Sequence, residues 1–72
     1  MTFSERLIYL RKLNNLTQKQ VYEAIKMSQI GYQRYEYGKR EPAFKNLIAL
    51  ADYFNVSIDY LVGRTDNPEV NK

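Results

Sequence analysis

From Phe3 to Gly63 the apolar residues of this chain recur three and four positions apart, in short runs, and no stretch alternates over the length of a strand. This spacing predicts an all-α domain of five helices. Phe3, Leu7, Leu10 and Leu13 mark the buried stripe of the first helix, with Ser4 as its expected N-cap and Asn14-Asn15 as its stop. Thr17 opens the second helix, where Thr17 and Gln20 have the spacing of a capping box; Val21 and Ile25 form its apolar face, and it ends by Lys26-Met27. Ser28 caps a third helix that runs to Tyr35 or Glu36 and is stopped by Gly38. After a loop of Lys39, Arg40, Glu41 and Pro42, a fourth helix spans Ala43 to Phe54, with Phe44, Leu47, Ile48, Ala51 and Phe54 expected to face inward. Asn55 ends it. Ser57 caps a last short helix carrying Ile58, Leu61 and Val62, stopped by Gly63.

With 72 residues the chain supports one small domain. It buries only about 60% of its unfolded surface, so its stability margin is thin. It is divided here into a domain over 1–63 and a polar tail over 64–72, which contains Pro68 and is expected to be flexible. No cysteine or histidine is present. That excludes disulfides and the usual zinc ligand sets, and it leaves no nucleophile–base pair through either residue. The eight carboxylates are dispersed, and no glycine-rich phosphate loop occurs. The expectation is a protein that is not an enzyme, with no cofactor, no metal and no small-molecule substrate. No apolar run approaches the roughly 20 residues of a membrane span, and the N-terminus lacks a signal-peptide core, so a cytoplasmic location is expected. The net charge of +3 permits nucleic-acid binding without demanding it.

Three stretches then carry a resemblance: Leu16-Thr17-Gln18, Glu36-x-Gly38-Lys39-Arg40-x-Pro42, and Phe54-Asn55-Val56-Ser57-Ile58-Asp59-Tyr60-Leu61. In this register the chain resembles the Cro/cI-type (XRE-like) helix-turn-helix family of phage and bacterial regulators, over about Phe3 to Gly63. It also looks similar to the small modulator-of-repression antirepressors of temperate phages of Gram-positive bacteria. The resemblance implies a five-helix Cro/cI-repressor-like domain whose third helix is presented to a groove. It implies a phosphate contact for Gln18, groove-facing positions for Gln29, Ile30, Gln33 and Arg34, and backbone contacts for Lys39 and Arg40. It also implies a pair between Arg11 and Glu36.

The chain departs from the family pattern at three positions. Tyr22 stands where Ala is usual, Lys26 where Gly is usual in the turn, and Gly31 lies inside the third helix. Gln29, Gln33 and Arg34 have the chemistry to read bases, and Ile30 could meet a thymine methyl. Tyr22, Ile30 and Tyr37 could instead form an aromatic-aliphatic patch of the kind that marks protein interfaces, with Gly31 letting a partner backbone approach. A third alternative has Tyr22 tucked over Gly31. Two functions are therefore carried forward. One is a phage-type regulator of a lysis–lysogeny switch that acts as a modulator or antirepressor, binding the main repressor through this surface. The other is a Cro-like sequence-specific repressor that binds operator DNA.

Overall fold

The computed structural model describes residues 1–70, and among them the chain forms five helices and no strand. These are α1 (Phe3–Leu13), α2 (Gln18–Ala24), α3 (Gln29–Glu36), α4 (Phe44–Phe54) and α5 (Ile58–Leu61). Four of the five begin with a hydroxyl side chain that accepts an otherwise orphaned backbone N–H. Thr17 Oγ1 accepts from Gln20 N, while Gln20 returns the bond to Thr17 N. Ser28 and Ser57 cap α3 and α5 in the same manner. The cap of α1 is Thr2 rather than the expected Ser4. Thr2 and Glu5 complete a capping box, and the Ser4 hydroxyl instead donates to the carbonyl of Tyr35 at 2.8 Å, tying α1 to α3. The N-terminus of α4 has no side-chain cap of its own. The hydroxyl of Tyr35 accepts from the Ala43 N–H and the Asn46 amide, so the tip of a core tyrosine seats α4.

Leu7, Leu10, Val21, Tyr32, Tyr35, Leu50, Ala51, Val56, Tyr60 and Leu61 build the core. Tyr32 and Tyr35 are buried, as their spacing on α3 predicts. Three expected core residues are not in it. Leu13 is the last residue of α1 and is 62% exposed; Phe44 is the first residue of α4 and is 73% exposed; Ile48 is also exposed. The inward stripe of α4 is Leu47, Leu50, Ala51 and Phe54. This helix is apolar at most positions, so several stripes satisfy its periodicity, and packing selects one of them.

Three non-glycine residues adopt left-handed backbone conformations: Asn15, Lys26 and Asn55. Both asparagines stop helices as expected. Gly63 cannot be replaced without moving chain, because a Cβ there would lie 1.9 Å from the Met1 carbonyl oxygen. Beyond Gly63, the Arg6 guanidinium meets Asp66 at 3.2 Å and the Ser57 N–H donates to the Pro68 carbonyl at 3.1 Å. Of the tail expected to be flexible, Asn71 and Lys72 lie outside the described residues.

Candidate recognition surface

Residues 25–27 link α2 to α3 in a tight turn. Lys26 sits at its apex with φ 60°. A side chain in that conformation costs roughly 1–2 kcal/mol, which explains why glycine would suit the position better. The Met27 N–H donates to the Tyr22 carbonyl at 2.8 Å and closes the turn. At Gly31 a Cβ would stand 3.0 Å from Ser28 Oγ and 3.4 Å from Met27 Cε. Its missing side chain therefore makes room for the cap and for the turn methionine. Tyr22 does not tuck over Gly31. It is half-buried and packs against Tyr32, with ring centroids 6.2 Å apart.

Behind α3 lies a buried polar network centred on Glu36, whose side chain is 2% exposed. Arg11 grips the carboxylate with two parallel bonds, Nε to Oε2 at 2.7 Å and Nη2 to Oε1 at 3.1 Å, and its Nη1 donates to the Leu16 carbonyl. The Tyr32 hydroxyl donates to Oε2, and the Gln18 amide to Oε1 at 3.1 Å. Burial pushes the Glu36 carboxyl up, but the bonds from Arg11, Tyr32 and Gln18 outweigh it and hold the group below its ordinary value. Burial, with the bond to Glu36, raises the Tyr32 hydroxyl and keeps it neutral.

The network reaches the surface through one more bond. Gln33 Nε2 donates to Gln18 Oε1 at 3.2 Å. Gln18 is thus half-buried and engaged on both sides of its amide, with one N–H left for an outside acceptor. Gln33 keeps its carbonyl oxygen and one N–H free of the Gln18 bond. Gln18 thus ties Gln33 of α3 to the same charged cluster.

On the outer face of α3, Ile30 is 64% exposed and Tyr37, at the end of the helix, 60%. Gln29 and Arg34 are exposed between and beside them. The Lys39 N–H donates to the Arg34 carbonyl at 2.8 Å, so the basic loop is pinned to the end of α3, with the side chains of Lys39 and Arg40 in solvent. The structure therefore brings Gln18, Gln29, Ile30, Gln33, Arg34, Tyr37, Lys39 and Arg40 onto or against one element and its flanks. Tyr22 and Gly31 are half-buried beside it, Tyr22 against Tyr32 and Gly31 beside the Ser28 cap.

Sequence reasoning missed Arg6. Its side chain is 4% exposed, its guanidinium lies 3.9 Å above the Tyr60 ring, and its Nε has no hydrogen-bond partner. Its only signal was a charge inside the apolar pattern of α1. Among the described residues, no group of three or more carboxylates could hold a metal ion, and no helix is long and apolar enough to cross a membrane.

Comparison with known proteins places this geometry. A family described as helix-turn-helix matches residues 7–61. An uncharacterised HTH-type transcriptional regulator of Bacillus subtilis, YobD, is 37% identical over 93% of this chain and 60% of its own length. The cryptic phage CTXphi transcriptional repressor RstR of Vibrio cholerae is 42% identical over 89% of this chain and 57% of its own. The chain thus spans somewhat over half the length of these relatives. Among solved structures, the P22 c2 repressor in complex with a synthetic operator superposes with a TM-score of 0.83 at 26% identity, covering 90% of this chain and 98% of that one. Capped helices, a tight α2–α3 joint, a presented α3 and the family match agree: the chain belongs to the helix-turn-helix family, in its Cro/cI-like branch.

Proposed function

We propose that this protein regulates transcription through the outer face of α3, acting as a modulator of a phage-type repressor by binding that repressor directly. The observation that carries this reading is the pairing of Ile30 and Tyr37, both mostly exposed, around Arg34. An aliphatic and an aromatic side chain flanking an arginine is the composition of a protein hot spot. DNA-facing surfaces are more polar and more strongly positive, and the whole chain carries only +3. Arg34 meets a partner carboxylate, while Ile30 and Tyr37 lie on apolar partner surface. A repressor of phage origin stands among its relatives, so the proposed partner would share this chain's own fold.

A specific observation favours a second reading, direct operator binding. The Gln18–Gln33 bond fixes the Gln33 amide, which has the chemistry to read a base, and a structural neighbour is the P22 c2 repressor with an operator.

A mobility-shift titration against the promoter region beside its gene, with and without the neighbouring repressor, separates the two. Under the first reading the protein alone gives no shift and removes the repressor's shift. Ile30→Ala and Tyr37→Ala each weaken that effect about tenfold, the scale of a hot-spot truncation. Salt-dependent binding by the protein alone would displace the first reading in favour of the second. In that case Arg34→Ala loses about 1–3 kcal/mol at one base pair, and Lys39→Ala weakens all sequences alike.

A further inference from the structure

A groove of about 340 Å³ runs between α4 and α5, away from the residues of α3. Ile48, Ala51, Val56 and Ile58 line it from the helical body, and Val70 lines it from the C-terminal segment. That segment is held to the body at three points. Arg64 N–H donates to the Asp59 carbonyl at 2.8 Å, Asp66 pairs with Arg6 at 3.2 Å, and the Pro68 carbonyl accepts from Ser57 N–H at 3.1 Å. The second contact joins the segment to α1 and the third joins it to the start of α5.

We propose that residues 64–70 form a strap that closes one side of the α4–α5 groove and shields it from other chains. The occupant of that side is thus the chain's own Val70. With it in place Ile48 and Ile58 are each still 37% exposed; without it they would be barer and would enlarge an apolar surface that already includes Phe44. The hold is weak by construction. Asp66 is fully exposed, so its pair with Arg6 is screened by solvent, and Val70 is 47% exposed. The strap can therefore open without unfolding the core. The groove also carries Asp52 and Asp59, so a carboxylate at position 70 would be repelled from it.

Hydrogen exchange and sedimentation of the 72-residue chain test this. The Ser57 amide is protected in the unmodified protein, because its acceptor is Pro68. In Val70→Asp, and in Val70→Asp combined with Asp66→Ala, it exchanges about tenfold faster while the Leu50 amide in α4 keeps its rate. At elevated salt, where Asp52 and Asp59 are screened, the double variant sediments with a concentration dependence that the unmodified chain lacks. A Ser57 amide that exchanges at the unprotected rate in the unmodified chain would overturn the strap. So would protection that survives both substitutions. A released strap with unchanged sedimentation would overturn its shielding role. None of these outcomes depends on what α3 binds.

Discussion

The two halves of the Arg11–Glu36 pair should be unequally costly to remove. Glu36 is almost fully enclosed and takes two bonds from Arg11, one from Tyr32 and one from Gln18. Removing one partner of a buried pair typically costs about 3–5 kcal/mol, because a charge is left uncompensated. Here the figure is reduced for Glu36→Ala. The Arg11 side chain is 15% exposed and keeps the Leu16 carbonyl, so about 2–3 kcal/mol is expected. Arg11→Ala strands a carboxylate that is 2% exposed, so about 3–4 kcal/mol is expected. A domain of 72 residues has about 4–11 kcal/mol in all, so both variants still fold but with little margin. The pH dependence separates them further. In the unmodified chain the folded-state Glu36 lies below its ordinary value of 4.5, so its stabilisation is fully present above about that pH and is lost as pH falls through the depressed folded value. Without Arg11, only the bonds from Tyr32 and Gln18 oppose burial, so the depression of the group shrinks and Arg11→Ala loses less stability on acidification than the unmodified chain. Urea unfolding of both single variants and the double variant, across pH 3 to 7 on the scale set by carboxylate titration, measures this. A coupling energy of about 2 kcal/mol is expected at neutral pH. Strictly additive losses, or parallel acid slopes in Arg11→Ala and the unmodified protein, would refute the reasoning.

Lys26→Gly relieves the left-handed strain in the turn and should stabilise the domain by about 0.5–1 kcal/mol, read as a rise in the urea midpoint. Gly63→Ala forces a Cβ onto the Met1 carbonyl at a φ of +84°; a loss above about 2 kcal/mol and a clear fall in Tm are expected, and an unchanged Tm would mean that the N-terminus does not pack there. Leu50→Ala should cost about 2–5 kcal/mol, whereas Phe44→Ala should stay within about 0.5 kcal/mol, because only the first is buried; calorimetry of the two variants checks this assignment of the inward face of α4.

The fold was legible wherever it rests on short-range chemistry. Thr17-x-x-Gln20, Ser28 and Ser57 each satisfy backbone donors within one turn, so their positions follow from neighbouring residues alone. The same logic contained the correct start of α1, since Thr2-x-x-Glu5 has the spacing of Thr17-x-x-Gln20; Ser4 was the worse candidate because it lacks a partner three residues on. The face of α4 was legible only in part: Leu47, Ala51 and Phe54 face inward as their spacing predicts. A modest rotation of the stripe exchanges Phe44 and Ile48 for Leu50 among equally apolar residues, and only the neighbouring helices distinguish the two. Arg6 was hidden for a similar reason. A charge among apolar residues reads as solvated unless a ring arrives from elsewhere in the chain, and here Tyr60 does.

The recognition surface divides along the same line. The resemblance placed Gln29, Ile30, Gln33, Arg34 and the basic loop at exposed positions, and they are exposed or half-exposed on α3 and its flank. What no spacing rule could supply is the chain of contacts from Arg11 through Glu36 and Gln18 to Gln33, which joins residues 15 to 25 positions apart. That chain makes the surface side chain of Gln33 the outer end of a buried ion pair. Loosening the pair therefore costs stability and also weakens the anchor of Gln18, the residue of α2 that holds Gln33 of α3. Within these residues no second domain steadies α3. The charged cluster does, a buried polar network on the side of the helix away from its exposed face.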